Sequence, residues 1–462
     1  MPDRRPNLLL IVLDTARRDR FGCYGYGDST TPHLDALAEE SLVFEHMIST
    51  APWTVPSHAS LFTGLYPREH GADNPTPRIQ TAAPTLASHL ASHGYATLCV
   101  TNNALINRTT GLAEGFERVV TRPNLRATAR LQRQVGYVLG TRDSGAEATN
   151  QAVMRLLPEI RQPFFLFLNY LECHWPYVPM RAFERRFAPR SHTWLRSLRT
   201  RLEFRKITHM EKVGALLARG DHDGVRLLAR LYDAEVALVD DRVGRLLAWL
   251  RRTGRFDDTI VIVTSDHGDM LGEGGQAMHQ GSLHEHLIHV PFIARVPGRR
   301  AARVDALAQT TDVFAGLCRL LDVPVPAHLE QRAFAADPLN GEGTREYAFA
   351  EWSHWGDAGL RSLQRRAPSY DFSQYPRGVE AAQDRRYKLV VAQDTGDERL
   401  YDVVADPDET TDLLSAKPAE AARLRGALLQ WREAFPRAAG ARAFTTDEEA
   451  RVERHLRDLG YM

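Results

Sequence analysis

An excess of charge of either sign is the first thing this chain lacks: 58 basic residues balance 58 acidic ones over 462 residues. The molecule as a whole therefore has no general nucleic-acid-binding or anionic-membrane surface, although local patches are compatible with neutrality. Cysteine is scarce too. Cys23, Cys99, Cys173 and Cys318 are scattered without paired metal spacing, which argues against a disulfide framework or thiolate zinc site and for free thiols in a reducing compartment. No apolar run approaches the roughly 20 residues of a transmembrane segment. Residues 7–13 follow two arginines, as an export signal would, but the run is short and stops at Asp14 with no small-residue cleavage site. A buried strand and a cytoplasmic location are expected instead. The sequon Asn107-Arg-Thr109 means little in that setting. No internal repeat is visible.

What is present is ordinary in bulk, 43% hydrophobic and 25% charged, and fits one large domain plus a smaller one. Residues 7–13, 95–101, 164–170, 259–264 and 291–296 read as buried strands rich in Val, Ile, Leu and Phe. Between them lie helical patterns at 32–40, capped by Thr31, and at 84–92, stopped by Gly94. The clearest helix is 225–253, where Leu228, Leu231, Tyr232, Val236, Val239, Val243, Leu246, Leu247 and Leu250 trace one face. Strands alternating with helices predict an α/β fold around a large, mostly parallel central sheet. After about residue 345 the texture changes to short antiparallel strands at 346–351, 387–392 and 399–403, followed by a helical tail to Met462. We therefore expect a catalytic domain over 1–345 and a smaller C-terminal α+β subdomain over 346–462. Within the first, 180–223 reads as a basic helical insertion. Residues 180–206 carry nine Arg or Lys against two Glu, with Trp194, Leu195, Leu198 and Leu202 interleaved. This is a solvated basic face, a lid that draws in anions, or a helix that touches lipid.

Chemistry in open α/β sheets gathers at the carboxyl ends of strands, and Asp14, His174, Asp266 and His267 all stand just past predicted strands. Asp266 and His267 together end a buried strand, where a charge and an imidazole need a reason to be held; a divalent metal supplies one, a surface turn being the plainer alternative. Asp14 by itself is a metal ligand or a loop carboxylate. Thr54 precedes Pro56-Ser57-His58 at a predicted helix start. There the exposed amides and the positive dipole end favour an alkoxide or bound oxyanion, or the threonine merely caps the helix. A hydroxyl with carboxylates and imidazoles is the inventory of a metal-activated nucleophile.

Asn7-Leu-Leu-Leu-Ile-Val-Leu-Asp-Thr15, Gly22-Cys-Tyr-Gly25, Thr31-Pro-His-Leu-Asp35, the Thr54 segment, Thr264-Ser-Asp-His-Gly-Asp-Met-Leu-Gly-Glu273 and Val290-Pro291 occur in that order. Arg386-Tyr-Lys388, Leu400-Tyr-Asp402 and Asp406-Pro407 follow. In these motifs the chain resembles the sulfatase family of the alkaline phosphatase superfamily, over nearly its whole length. The resemblance implies that Asp14, Thr54, Asp266 and His267 ligate a divalent metal, with Thr54 as nucleophile. It implies that His174, in Glu172-Cys-His-Trp-Pro176, contacts the substrate oxyanion or leaving group; a core or turn histidine is the alternative.

The departures from the family pattern bear on substrate. Sulfatases carry at position 54 a Cys or Ser that is converted to formylglycine, whereas this chain has Thr54, so no formylglycine is expected. His58 stands where the family has arginine, Thr15 where it has a second aspartate, Asn102-Asn103 where it has a lysine and histidine, and His279-Gln280 where it has a lysine. His58 and Asn102 are then candidate substrate-binding groups. The pattern looks like the phosphoryl-transfer branches of the superfamily, in some of which a histidine soon after the Asp-His pair binds a second metal. His279, 12 positions beyond His267, would fill that part with His174 and Glu172, or would only hydrogen-bond the substrate. The expected function is hydrolysis of a phosphate mono- or diester or phosphonate ester, or phosphoryl transfer to an alcohol. Sulfate ester hydrolysis and an inactive anion-binding scaffold are the alternatives. The cofactor is a divalent ion, Mn²⁺, Zn²⁺, Ca²⁺ or Mg²⁺; carboxylate plus imidazole suits Mn²⁺ or Zn²⁺ more than Ca²⁺ and excludes none. The partner is a small-molecule or lipid-headgroup anionic ester, with no nucleic acid.

Overall fold

Nearly unbroken apolar runs such as Asn7–Leu13 and Phe164–Tyr170 are stable only as strands covered on both faces, and every residue of both is buried. The computed structural model describes residues 5–73, 76–121, 136, 139–204, 206–341 and 343–438. Its strands up to residue 309 are β1 (Asn7–Leu13), β2 (Leu42–Ile48), β3 (Ala96–Thr101), β4 (Arg118–Val120), β5 (Phe164–Tyr170), β6 (Thr259–Thr264), β7 (Met270–Leu271), β8 (Ala277–Met278), β9 (Phe292–Arg295) and β10 (Ala302–Gln309). Eight of them form one sheet in the order β10-β2-β9-β6-β1-β5-β3-β4, while β7 and β8 form a separate ribbon. Every pairing in the large sheet is parallel except those of β9, which runs against both β2 and β6. The mostly parallel α/β sheet is as the sequence pattern predicts.

Three strands escape a reading by apolar runs. β2 is interrupted by half-buried Glu45 and His46, β10 is exposed along its first half at the sheet edge, and β4 is three residues long. The helix expected at 32–40 is Pro32–Ala38, and Thr31 does not cap it. The Thr31 hydroxyl is spent on Asp35 Oδ1 at 2.9 Å, and the helix amides of His33 and Leu34 donate instead to Asp240. That aspartate belongs to the long helix His222–Arg252, whose N-cap Asp221 accepts from Gly224 N. The cap places its start three residues ahead of the expected 225, and the nine predicted members of the apolar stripe are all buried.

Past residue 345, β11 (Ala348–Trp352), β12 (Val379–Gln383), β13 (Tyr387–Ala392) and β14 (Glu398–Asp402) make an antiparallel sheet in sequence order. The helix Pro418–Ala434 covers it, with Trp431 stacked on Phe349 at 5.2 Å between ring centroids. The rest of the expected helical tail, 439–462, lies outside the described residues. Lys388 on β13 is fully buried and fastens this sheet to the segment 283–285: its Nζ donates to Leu283 O, Glu285 and Glu409. No helix among the described residues is long and apolar enough to cross a membrane.

Candidate metal and catalytic centre

The parallel register of β5, β1 and β6 brings their carboxyl ends side by side, and the chain locks them there. Ser265 Oγ donates to Leu13 O at 2.7 Å and accepts from Ala16 N, tying the end of β6 to the end of β1. Thr15 is held at φ 59°, rare for a β-branched residue. Its amide thereby donates to Asp266 Oδ1 at 3.1 Å, and its carbonyl accepts from the Tyr232 hydroxyl. The side chain of Thr15 turns to the Asp14 carbonyl rather than into the site. Gly268 is required for a different reason: a Cβ there would come within 1.9 Å of His286 O.

Asp14, Asp266 and His267, all buried, present ligand atoms within 4.8 Å of one another. Asp266 Oδ2 is 3.2 Å from His267 Nε2, and Thr54 Oγ1 is 3.5 Å from the same nitrogen. Thr54 is the first residue of a helix, Thr54–Thr63, every side chain of which is buried. The preceding residue Trp53 occupies the cap position, so Thr54 is not the N-cap. Ser57 on that helix donates to Asp266 O at 2.7 Å, fixing the helix start against the Asp266-His267 segment.

Four features fit this set to a divalent cation. Asp14 Oδ1 and Asp266 Oδ2 are buried with no hydrogen-bond partner, a costly state for carboxylate oxygens. His267 Nδ1 donates to Gly268 O at 2.8 Å, which leaves Nε2 facing the carboxylates, the ring orientation of metal-ligating histidines. Asn103 Nδ2 and Asn169 Nδ2 both donate to the other Asp14 oxygen, at 2.7 and 3.3 Å, holding Oδ1 inward. Burial and the neighbouring Asp266 charge push the Asp14 carboxyl upward. His267 is raised to about 9, because Asp266 and Asp14 outweigh the burial that opposes its charge, and Asp266 is lowered in return. Two carboxylates sharing one imidazolium leave net negative charge in a low-dielectric pocket, and a hard cation offsets it.

The other sequence candidates divide. His174 donates from Nδ1 to Trp175 O, and its ring lies 5.2 Å from that of His279. His279 in turn lies 4.4 Å from the His267 ring, so both histidines flank the cluster. His279 Nδ1 faces Asp269 Oδ1 at 3.3 Å, and burial followed by the charges of His267 and His174 drives it well below the ordinary imidazole range. His58 lies behind Thr54, with Nδ1 2.8 Å from Thr54 O and 3.4 Å from Asp266 Oδ2. Two candidates point elsewhere. Glu172 accepts from Ala146 N and Leu171 N, facing the start of the helix Ala146–Leu156. Asn102 donates to Thr149 Oγ1. Among the described residues Glu172, His174 and His279 do not gather as a metal-ligand group. The residues missed by the sequence reading are Asn103 and Asn169 on Asp14, and Asp269, which accepts from Tyr177 Oη at 2.5 Å and holds His279. The Asn102-Asn103 pair was the available signal, and the strand end turned the second residue, not the first, toward the cluster.

Fold and site define an ester-hydrolase class that comparison with known proteins names. The sulfatase family model matches residues 6–323, and the chain belongs to the sulfatase family of the alkaline phosphatase superfamily. It is 25% identical over 497 residues to a multifunctional alkaline phosphatase superfamily protein of Trinickia caryophylli, covering 93% of this chain and 95% of that one. It is 26% identical over 331 residues to the choline-sulfatase of Rhizobium meliloti, covering 64% of each chain. Among solved structures, the phosphonate monoester hydrolase of Agrobacterium radiobacter superposes with a TM-score of 0.72 at 22% identity, over 93% of this chain and 96% of that one.

Proposed function

We propose that this protein is a metal-dependent phosphoester or phosphonate ester hydrolase with unmodified Thr54 as its nucleophile. The observation that carries the reading is the position of the Thr54 hydroxyl, 3.5 Å from His267 Nε2 beside two orphaned carboxylate oxygens. Threonine in place of the formylglycine precursor removes the aldehyde hydrate of sulfatase chemistry and leaves direct attack by the alcohol oxygen. Asp14, Asp266, His267 and Thr54 would hold the divalent ion. When bound, it supplies Lewis acidity toward the hydroxyl and the substrate oxygens.

The protein groups then have defined tasks. The Thr54 hydroxyl gives up its proton to solvent, Oγ1 attacks phosphorus in line, the bond to the leaving oxygen breaks, and a phosphothreonine forms. His174 gives a proton to the leaving oxygen, and His279, held neutral by its burial, takes one at Nε2 from the water or alcohol that discharges the phosphothreonine. Asp269 keeps the His279 Nδ1 proton on its own side, so the exchangeable position is Nε2. The amides at the start of the helix Thr54–Thr63 face the charge that develops on the phosphoryl group.

Sulfate ester hydrolysis is the second reading, favoured by the sulfatases among the relatives. The discriminating experiment is turnover of p-nitrophenyl phosphate, its bis-ester, a phenylphosphonate ester and a sulfate ester with Mn²⁺, Zn²⁺, Ca²⁺ and Mg²⁺. Phosphorus substrates should dominate, and intact-mass analysis of quenched protein should find phosphate on Thr54. Sulfate turnover exceeding every phosphorus substrate would overturn the proposal. No turnover and no bound metal by elemental analysis would favour an inactive anion-binding scaffold.

A further inference from the structure

The basic insertion is unused by the chemistry above. It folds as three helices, Arg181–Phe187, Trp194–Phe204 and His209–Ala218. With about 3.6 residues per turn, Trp194–Phe204 divides into three strips. Ser197, Arg201 and Phe204 are buried against the body of the protein. Leu195, Leu198 and Leu202 form a second strip, of which Leu195 is 63% and Leu202 44% exposed, with Trp194 at the helix start 47% exposed. Arg196 and Arg199, both exposed, form the third. Of the six large apolar residues that stay exposed among the described residues, four are Leu139, Trp194, Leu195 and Leu202. Leu139 adjoins this surface, because Arg181 N donates to the neighbouring Gly140 O.

Arginine predominates on this face in a chain whose net charge is zero; Asp221 and Asp223 line the groove beside Arg196 and Arg199 but are engaged by Gly224 N and Arg226. Arg185, Arg190, Arg196 and Arg199 are exposed, and none has a carboxylate within 4.0 Å among the described residues. The two glutamates of the segment are already spent, Glu184 on Arg201 and His192, and Glu203 on Lys212. Apolar side chains beside unneutralised arginines, on one helix lying flat on the surface, complement the acyl boundary and phosphates of an anionic bilayer. A second protein copy would have to neutralise the arginines with acidic groups, whereas lipid phosphates supply that charge directly.

We propose that the helix Trp194–Phe204 docks the protein on an anionic lipid surface, with Trp194, Leu195 and Leu202 entering the interface and Arg196 and Arg199 meeting headgroup phosphates. The surface is mechanically joined to the catalytic centre. Phe204 packs on Trp175 at 4.4 Å, Arg201 donates to Val178 O at 3.1 Å, and Trp175 directly follows His174. Docking would therefore set the orientation of the catalytic cleft relative to the membrane, whichever ester the cleft cleaves.

The test is co-sedimentation of the full-length protein with phosphatidylglycerol–phosphatidylcholine vesicles and with pure phosphatidylcholine vesicles, at low and physiological salt. Binding should require phosphatidylglycerol and weaken with salt. Arg196→Glu with Arg199→Glu should cut partitioning at least roughly thirtyfold, from about fivefold for each positive charge removed at an anionic surface, the added carboxylates deepening the loss. Leu195→Glu with Leu202→Glu should cut it at least about tenfold. Both variants lie on exposed positions, and circular dichroism and turnover of a soluble ester should match the parent. Failure of the parent to bind phosphatidylglycerol vesicles would overturn the proposal. So would full binding by the leucine variant, or a solution dimer that Leu195→Glu dissociates.

Discussion

Two clusters of buried charge in this protein have nearly the same ingredients and opposite states. Lys388, Glu285 and Glu409 meet under the C-terminal sheet, and every charged side chain has a partner: Lys388 Nζ donates to both carboxylates and Leu283 O, and Glu285 also pairs with His289. Asp14, Asp266 and His267 meet at the carboxyl ends of β1 and β6, and there two carboxylate oxygens are left with none. Both clusters bear the desolvation cost of burial. The first recovers it within the protein and serves to fasten one sheet to the other. The second is left incomplete, and Asn103, Asn169 and Thr15 hold the incompleteness in place. An under-satisfied cluster on a well-braced scaffold is a site; a satisfied one is a clamp.

Substitutions should separate the two. The largest effect is expected from Thr54→Ala beside the open cluster: kcat/KM should fall about a thousandfold or more, with a melting temperature close to the parent. Retained turnover would remove Thr54 from the mechanism. Lys388→Met breaks the closed cluster and strands two carboxylates, so urea unfolding should show a loss of about 3–5 kcal/mol, while kcat of the folded fraction stays at the parental value. A loss near zero would mean the clamp is dispensable.

Asn103→Ala leaves the Asp14, Thr54, Asp266 and His267 side chains in place but removes the shorter of the two hydrogen bonds on Asp14 Oδ2, leaving only Asn169. Titration calorimetry with Mn²⁺ or Zn²⁺ should find affinity reduced about 10- to 100-fold, and metal removal by chelation should lower the melting temperature of the parent more than that of the variant. Acid provides a fourth contrast. Glu273 is half-buried, and the Arg17 guanidinium holds its carboxyl at about 2, below the ordinary 4.5. Its contribution is fully present above pH 4.5 and is lost as pH falls through about 2. Glu273→Gln should flatten the fall in melting temperature across that window, and an unchanged slope would discount the pair. Smallest of all, Glu172→Gln should change metal content not at all and turnover less than about threefold. A halving of bound metal would restore Glu172 to a second metal site.

How far the sequence could be read depended on what each residue was paired with. β1, β5 and β6 were legible to the residue because a strand buried on both faces must be apolar throughout, and the same runs announce the strand ends where Asp14 and Asp266 stand. β2 and β10 were not, since a half-exposed strand admits Glu45, His46 and Asp305. The cap of the helix Pro32–Ala38 illustrates the same limit: Thr31 is the residue type for the task, but Asp240, over 200 residues away in the chain, performs it. Arg386-Tyr-Lys388 was visible as a motif, and only its burial shows that the lysine is a fastener.

The sequence by itself determined the class of chemistry: strand-terminal carboxylates, an Asp-His pair and a hydroxyl at a helix start can be recognised because strand and helix periodicity fix where such residues point. Tertiary structure alone decided which of them meet. It turned Asn103 rather than Asn102 onto Asp14, sent Glu172 to a helix N-terminus, and set Asp269 behind His279. The reason is physical: at the end of a strand one residue of register reverses the direction of a side chain, and which buried group satisfies which is settled by packing between segments that the sequence keeps far apart.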